Sequence, residues 1–371
     1  MKELLVISGK GGTGKTSIVG SFAVLADSKV LADCDVDAAD LHLLLNPTVR
    51  ATHEFSAGQQ AVLDPAKCVG AGQCGAGQCG AGECSASAVC AEACRFGAIA
   101  FSRAACAESS IDGGMSVLST GSTARAGLPY IDSVSCEGCG VCARACPHGA
   151  ISMEDVVSGH WFVSDTAYGP MVHARLGVAQ ENSGKLVTQV RREARSIAER
   201  QGLDYIITDG PPGIGCPVIS SMSGVDLALI ITEPTVAGTH DMQRTVELAH
   251  YFGVKTTVCI NKYDLDQAGA KQIEAYCSSE GVQIAGKVPF DEKVVEALLQ
   301  EAPVVTRNGS HRAEGRAAQA VRRLWANIES ELECVGGPTT PAGLRGFRQA
   351  HPGNVRPLER HDPREAEGRW R

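Results

Sequence analysis

Gly9-Lys10-Gly11-Gly12-Thr13-Gly14-Lys15-Thr16 is the stretch that decides the fold of this 371-residue chain. It matches the pattern G-x-x-x-x-G-K-[ST] and lies between an apolar run, residues 3–8, and a helical pattern over residues 15–25. Glycines let the backbone N–H groups of such a loop turn around phosphate oxygens, and the helix N-terminus adds partial positive charge. The sequence therefore predicts a phosphate-binding loop whose ligand contacts run from Gly9 to Ser17.

Apolar runs and helical patterns alternate on both sides of this loop. Further short apolar runs, typical of buried parallel strands, cover residues 30–32, 160–164, 171–178, 205–208, 227–232 and 257–260. Helical patterns cover residues 185–200, 239–252 and 268–279. The alternation predicts an α/β fold, a doubly wound and mostly parallel sheet with helices on both faces.

Composition and charge exclude several classes of protein. The net charge is −8, which argues against a nucleic-acid partner. No apolar run approaches the ~18 residues of a membrane span, and the N-terminus lacks the layout of a signal peptide. We expect a cytoplasmic protein without stable membrane insertion.

The cysteines indicate metal binding. Of the 16 cysteines, 11 fall between Cys68 and Cys146, and a disulfide scaffold would be short and secreted. Cys136-x2-Cys139-x2-Cys142-x3-Cys146-Pro147 is the spacing of bacterial ferredoxins, which hold 4Fe-4S clusters. A zinc knuckle is the alternative, but zinc sites generally pair two C-x2-C hooks or add histidine.

A second cysteine motif, less regular, precedes the first. The segment Cys94-Arg95-Phe96-Gly97-Ala98-Ile99 mirrors Cys146-Pro147-His148-Gly149-Ala150-Ile151, and Cys68 corresponds to the motif's start. The middle cysteine is displaced, and three candidates lie in a GAG(Q/E)C repeat over residues 70–84: Cys74, Cys79 and Cys84. A flexible glycine-rich loop can present any of them, and Cys84 is selected.

Two-cluster ferredoxins exchange the last cysteine between their motifs, which predicts two ligand sets and two 4Fe-4S clusters. The first set is Cys94, Cys136, Cys139 and Cys142. The second set is Cys68, Cys84, Cys90 and Cys146.

Composition shifts predict the domain boundaries. Residues 1–60 and 156–335 form the two parts of the phosphate-binding domain, and residues 61–155 form an inserted ferredoxin-like domain. Residues 336–371, rich in Pro, Gly and Arg, are predicted to be a disordered tail.

Lys10 makes the loop a K-G-G-x-G-K-T sequence, the deviant Walker A pattern, and here the chain resembles the MinD/Mrp family of P-loop ATPases. The resemblance implies ATP and Mg²⁺ binding, slow hydrolysis, and a homodimer in which Lys10 reaches the partner's phosphates. Lys15 is expected to contact the β- and γ-phosphates and Thr16 to ligate Mg²⁺.

Two acidic motifs and a base-contacting motif extend the resemblance. Asp33-Cys34-Asp35-Val36-Asp37 resembles switch I, which implies that Asp35 orients the attacking water and lies at the Mg²⁺. Asp209-Gly210-Pro211-Pro212-Gly213 resembles switch II, with Asp209 as the Walker B carboxylate. Asn261-Lys262-Tyr263-Asp264 by itself would suggest guanine, but the resemblance places a base-contacting Asn261 in ATPases, beside the loop at Pro289.

Over about residues 1–330 the chain resembles MinD-superfamily ATPases with an inserted ferredoxin domain. Three functions stay open: an ATPase that gates electron transfer to a redox partner, an iron–sulfur cluster assembly or carrier ATPase, and a MinD-like spatial regulator. The carrier branch uses a C-P-x-C pair, and Cys216-Pro217-Val218-Ile219 lacks the second cysteine. A spatial regulator needs a C-terminal amphipathic helix, and the apolar stripe over residues 321–332 is instead predicted to pack on the core.

Overall fold

A computed structural model describes residues 1–70, 89–101, 128–177, 183–305 and 315–334. Residues Met1–Cys334 belong to one compact unit. The strands are β1 (Lys2–Ser8), β2 (Lys29–Asp33), β3 (Thr48–Leu63), β4 (Ile99–Phe101), β5 (Pro129–Ile131), β6 (Ile151–Thr166), β7 (Gly169–Leu176), β8 (Tyr205–Pro212), β9 (Leu227–Thr232), β10 (Thr256–Asn261) and β11 (Gln283–Val288). The helices are α1 (Lys15–Leu25), α2 (Leu41–Leu45), α3 (Val89–Ala93), α4 (Val141–Ala145), α5 (Ser183–Gln201), α6 (Cys216–Met222), α7 (Val236–Tyr251), α8 (Gln267–Ser279), α9 (Glu292–Leu299) and α10 (Arg316–Cys334).

The main sheet has the order β11-β10-β9-β1-β8-β2-β7-β6-β3. Strands β11 to β7 in this order are parallel, and β6 and β3 run antiparallel at one edge. Alternate residues of β1 enter different cores: Leu4 and Val6 pack with α1 and α10, whereas Leu5 and Ile7 pack with α7 and α8. The predicted α/β fold with a mostly parallel sheet and helices on both faces is confirmed.

Helix α10 closes one face of the sheet. Its apolar stripe is buried, and Trp325 lies 5.1 Å from Phe22 of α1, measured between ring centroids. The prediction that this stripe packs on the core is confirmed. No helix in the described ranges is both long and apolar enough to cross a membrane.

The antiparallel edge carries an extension that the sequence did not predict. β3 and β6 pair along their whole length, but β6 pairs with β7 only from Gly159 to Thr166. Residues 56–63 and 151–157 therefore form a two-stranded arm beyond the sheet, and bulges at Phe55–Gly58 mark its base. The predicted domain boundaries, 60/61 and 155/156, fall inside these two strands.

The arm leads to a small unit that is internally repeated. Helices α3 and α4 and the strand pair β4–β5 lie at its end. Asp64 N donates a hydrogen bond to Ala150 O, and Asp132 N donates one to Ala98 O, each with a donor–acceptor distance of 2.7 Å. Two halves of matching sequence thus adopt matching backbone contacts. Cys74, Cys79 and Cys84, and the predicted tail 336–371, lie outside the described residues.

Candidate functional site

The loop between β1 and α1 lies at the carboxyl edge of the parallel strands, where ligands bind in doubly wound folds. Gly14 has a positive φ of 86°, and a Cβ there would lie 2.5 Å from Asn261 Nδ2. The Asn261 amide in turn donates to Thr13 O over 2.7 Å. The last residue of β10 therefore holds the second half of the loop in place, and only glycine fits at position 14.

Lys15 begins α1 and is buried among carboxylates. Its Nζ donates to Asp209 Oδ1 over 2.6 Å and lies 3.5 Å from Asp35 Oδ2. Burial by itself lowers the pKa of Lys15, but the attraction of Asp209 and Asp35 outweighs it and raises the pKa above its ordinary value. The lysine is therefore a fixed positive charge in this site.

Three carboxylates surround this one lysine. Burial, followed by repulsion from Asp209, raises the pKa of Asp33 well above its usual range. Burial also raises the pKa of Asp35, although Lys15 opposes the shift. Asp33 accepts hydrogen bonds from the backbone N–H groups of Asp35 and Leu41, and so shapes the turn after β2. The acidic excess favours a cation at this point.

Unpaired oxygens indicate where a cation would fit. Asp209 Oδ2 and Thr13 Oγ1 are buried without a hydrogen-bond partner in the part of the chain that the structure describes. Buried polar atoms are normally satisfied, so these two require a ligand or water. Hard oxygen donors suit Mg²⁺. Asp35 lies 3.5 Å from Lys15 Nζ, and Thr16 follows Lys15 in α1.

A cleft of about 750 Å³, which includes open solvent, lies beside the loop. The side chains that line it belong to α1, β10, α9, α10 and the segment Pro289–Asp291. Asn261 and Pro289, both predicted to contact the base, line this cleft together with Gly12, Gly14 and Ser17. Asp264 does not reach into it, because Asp264 Oδ1 accepts a hydrogen bond from Phe290 N over 2.7 Å.

Lys10 is restrained by residues that sequence reasoning missed. Its Nζ lies 3.5 Å from Glu233 Oε2 and 3.4 Å from Thr235 Oγ1. The other oxygen of Glu233, Oε1, binds Lys262 Nζ. A single glutamate after a buried strand carries no sequence signal, so this bridge was visible only in the structure.

The cysteines of the repeated unit line two separate hollows. One hollow, of about 340 Å³ with open solvent, is lined by four of them: Cys94, Cys136, Cys139 and Cys142. The other, of about 370 Å³, is lined by three: Cys68, Cys90 and Cys146. Each cysteine of the unit that the structure describes lines the hollow that corresponds to its predicted set, and metal binding by these thiols stays a prediction.

The donor set of each hollow consists of cysteine thiols, the ligands that iron–sulfur clusters take. No three His, Cys, Asp or Glu side chains converge on one metal position within the described ranges. A cubane binds each thiolate at a different iron, so its ligands surround a volume instead of meeting at a point. In the second hollow Ala150 N already donates a hydrogen bond to Cys146 Sγ over 3.3 Å.

The profile of the CobQ/CobB/MinD/ParA nucleotide binding domain matches residues 4–304. The chain belongs to this family. The matched range includes the loop at Gly9–Ser17, Asp35, Asp209, Asn261 and the whole repeated cysteine unit. The nucleotide-binding fold is therefore that of the family.

Individual relatives differ in how much of the chain they resemble. An uncharacterized protein of Methanocaldococcus jannaschii is 29% identical over 330 residues, which cover 88% of this chain and 96% of that protein. An iron-sulfur cluster carrier protein of Pyrococcus horikoshii is 29% identical over 168 residues, 42% of this chain and 55% of that protein. The cell division ATPase MinD of Pyrococcus furiosus aligns with a TM-score of 0.47 at 17% identity, over 89% of this chain and 99% of that one.

Proposed function

We propose that this chain is an ATP-hydrolysing switch that carries two 4Fe-4S clusters and couples its nucleotide state to ferredoxin-type electron transfer or to partner docking. One observation carries the proposal: the described cysteines divide between two hollows in the way that a two-cluster ferredoxin divides its ligands. The same chain holds a family phosphate loop with an acidic cation site.

Each charged group of the nucleotide site has a proposed role. Lys15 binds the β- and γ-phosphates, since its charge is fixed at the start of α1. Thr16, Asp35 and Asp209 supply oxygens for Mg²⁺, directly or through water. Asp35, the least enclosed of the three carboxylates around Lys15, orients the attacking water. Lys10 reaches the phosphates of a second copy in a homodimer.

The cleft beside the loop favours adenine over guanine. Guanine recognition by N-K-x-D motifs uses the final carboxylate, but Asp264 is engaged by Phe290 N and lies 3.9 Å from Arg316. Asn261 and Pro289 face the cleft instead. We therefore expect ATP to compete for the site far more strongly than GTP.

The cysteine unit provides the redox part. Cys94, Cys136, Cys139 and Cys142 would hold one cluster, and Cys68, Cys90, Cys146 and Cys84 the other. Such clusters, when bound, supply one-electron transfer. N–H donors such as Ala150 N stabilise negative charge on the thiolates, which is one way a chain adjusts the potential.

The arm separates the two parts. β6 begins at Ile151, eight residues before Gly159, where its pairing with β7 starts. Eight residues of extended strand span about 26 Å. Chemistry at the phosphates therefore acts on the clusters through conformation or association, and the electron acceptor is a separate redox protein.

A cluster carrier is the second candidate, because the relatives named iron-sulfur cluster carrier proteins match about two fifths of the chain. Cys216 is exposed at the start of α6, but no second cysteine follows Pro217 to complete a C-P-x-C pair. The spatial regulator has less support, since the apolar face of α10 is committed to the core.

Electron transfer from the reduced, anaerobically prepared protein to a soluble acceptor such as cytochrome c tests the proposal. We expect ATP to change the rate about five-fold or more relative to ADP, and the Lys15→Gln variant to lose this response. Equal rates with ATP, ADP and no nucleotide would contradict the coupling. ATP-stimulated transfer of iron and sulfide to an apo-ferredoxin would favour the carrier instead.

A further inference from the structure

Glu233 joins two lysines from different loops, Lys10 after β1 and Lys262 after β10. Oε2 of its carboxylate lies 3.5 Å from Lys10 Nζ, and Oε1 binds Lys262 Nζ at 2.5 Å. The Glu233 side chain is 13% exposed, whereas those of Lys10 and Lys262 are 32% and 33% exposed. The carboxylate is thus a largely buried partner shared by two partly exposed cations.

Lys262 is itself tied to the phosphate loop and to the base cleft. It adopts a left-handed backbone with φ 53°, and its N–H donates to Asn261 Oδ1 over 3.0 Å. Asn261 donates to Thr13 O, and Lys262 lines the cleft beside the loop. A closed ring of contacts therefore runs from Thr13 through Asn261, Lys262 and Glu233 back to Lys10 of the same loop.

The two ion pairs are unequal, and the inequality matters. The short contact belongs to Lys262, while Lys10 lies at longer distances from both Glu233 and Thr235. Lys262 and Lys10 therefore share the negative charge of one carboxylate, and the nearer Lys262 neutralises the larger part of it. Val236, the residue after Thr235, is 92% exposed, so the side of the fold around Lys10 is open to a second molecule.

We propose that Glu233 is a positioning residue that retains Lys10 within its own chain and so sets the concentration at which the nucleotide-bound dimer forms. Release of Lys10 from Glu233 is a cost of dimerisation, and Lys262 reduces that cost by engaging the same carboxylate. This inference rests on the proposed role of Lys10 across a homodimer. It adds that Glu233 opposes dimerisation by holding Lys10, which the proposed role of Lys10 does not itself require.

The test measures the midpoint concentration of dimerisation by analytical ultracentrifugation, on the full chain with saturating ATPγS and Mg²⁺. The Glu233→Gln variant is expected to dimerise at about two- to five-fold lower concentration, the range for loss of a partly exposed ion pair. Lys262→Met is expected to shift the midpoint in the opposite direction, because the whole carboxylate is then available to Lys10. In the double variant the Lys262→Met change should have no further effect on the midpoint, because the Glu233 carboxylate that the two lysines share is already absent.

Opposite shifts are a readout that a merely structural role would not produce, since loss of local packing moves both single variants the same way. Thr235 is left unchanged because it caps α7 through Gly238 N. Dimerisation of the wild type with midpoints that coincide in all variants, or that shift in the same direction, overturns the inference and leaves the proposed function intact. Failure of both the wild type and Glu233→Gln to dimerise with nucleotide contradicts the proposed homodimer, and the inference with it.

Discussion

At the scale of single residues, the site is organised around one lysine with three acidic neighbours. Lys15 pairs with Asp209 and lies near Asp35, while Asp33 carries a raised pKa beside them. Mg²⁺ at this edge would relieve the carboxylate repulsion, and the proposed triphosphate would give Lys15 a further anionic partner. The two loop lysines thus differ: Lys15 is buried in the site, whereas the Lys10 side chain is 32% exposed at its rim.

Replacing each lysine by glutamine should separate their roles. We expect Lys15→Gln to reduce ATP affinity by about two orders of magnitude, because it removes a charged donor to the phosphates. Lys10→Gln should bind ATP almost as the wild type does but fail to dimerise. Isothermal titration and ultracentrifugation measure the two effects, with the exposed Lys271→Gln as a control. Equal loss of ATP affinity in both variants would refute the division.

His173 predicts a pH dependence of stability. Burial, and then the nearby His42, lower its pKa to about 4 from 6.5, while Ser164 Oγ lies 3.0 Å from its Nε2. The unfolded chain therefore binds a proton between these values that the folded chain does not. The stabilisation is present above pH 6.5 and is lost as the pH falls towards 4.

Urea unfolding of the wild type and His173→Gln at pH 7 and pH 5.5 measures this contribution. The wild type should lose about 1 kcal/mol more than the variant over this interval. His250→Gln, at an exposed position near the end of α7, should behave as the wild type. An unchanged pH slope in His173→Gln would show that this imidazole is not responsible.

The sequence predicted the residues that stand in motifs and missed contacts that form only in the folded chain. The phosphate loop, Asp209 and Asn261 stand in patterns whose spacing reflects backbone geometry, and the structure places them at one edge. Glu233 has no such pattern, because its partner Lys262 is distant in sequence. Asp33 stands in the switch I motif, but its hydrogen bond from Leu41 N was not predicted.

At the scale of elements, α10 and the arm show opposite degrees of predictability. The 3.6-residue stripe of α10 predicted a packed helix, and its seven buried residues confirm it. β3 has a mostly exposed pattern with glycine and glutamine, so its 16 residues lacked the alternation that marks a strand. Pairing with β6 overrides its local preference.

Docking of α10 should contribute strongly to stability. Trp325 is 5% exposed and contacts both Phe22 and Tyr205. We expect Trp325→Ala to lower the free energy of unfolding by about 3–5 kcal/mol, the usual cost of truncating a buried aromatic residue. Leu299→Ala, at a position 82% exposed, should change it by less than about 0.5 kcal/mol. Similar effects in the two variants, by urea denaturation, would show that α10 is loosely attached.

At the scale of the whole molecule, the phosphate loop and the cysteine unit lie at different parts of one sheet. The parallel strands hold the nucleotide site, and the antiparallel edge extends into the arm with the cysteine unit. The fold class followed from the alternation of strands and helices, and the grouping of described cysteines followed from ferredoxin spacing. The choice among Cys74, Cys79 and Cys84 did not follow, because the three GAG(Q/E)C repeats are nearly identical in sequence, and these cysteines lie outside the described residues.

The central claim is that the cysteine unit holds two cubanes. The most direct measurement is iron and acid-labile sulfide per chain in protein purified without oxygen, with Cys216→Ser as a control outside the unit. We predict about eight iron and eight sulfide per chain, and about four of each in the Cys139→Ser variant. About four in the wild type would contradict the second cluster, and zinc or no metal in place of iron would contradict the account as a whole.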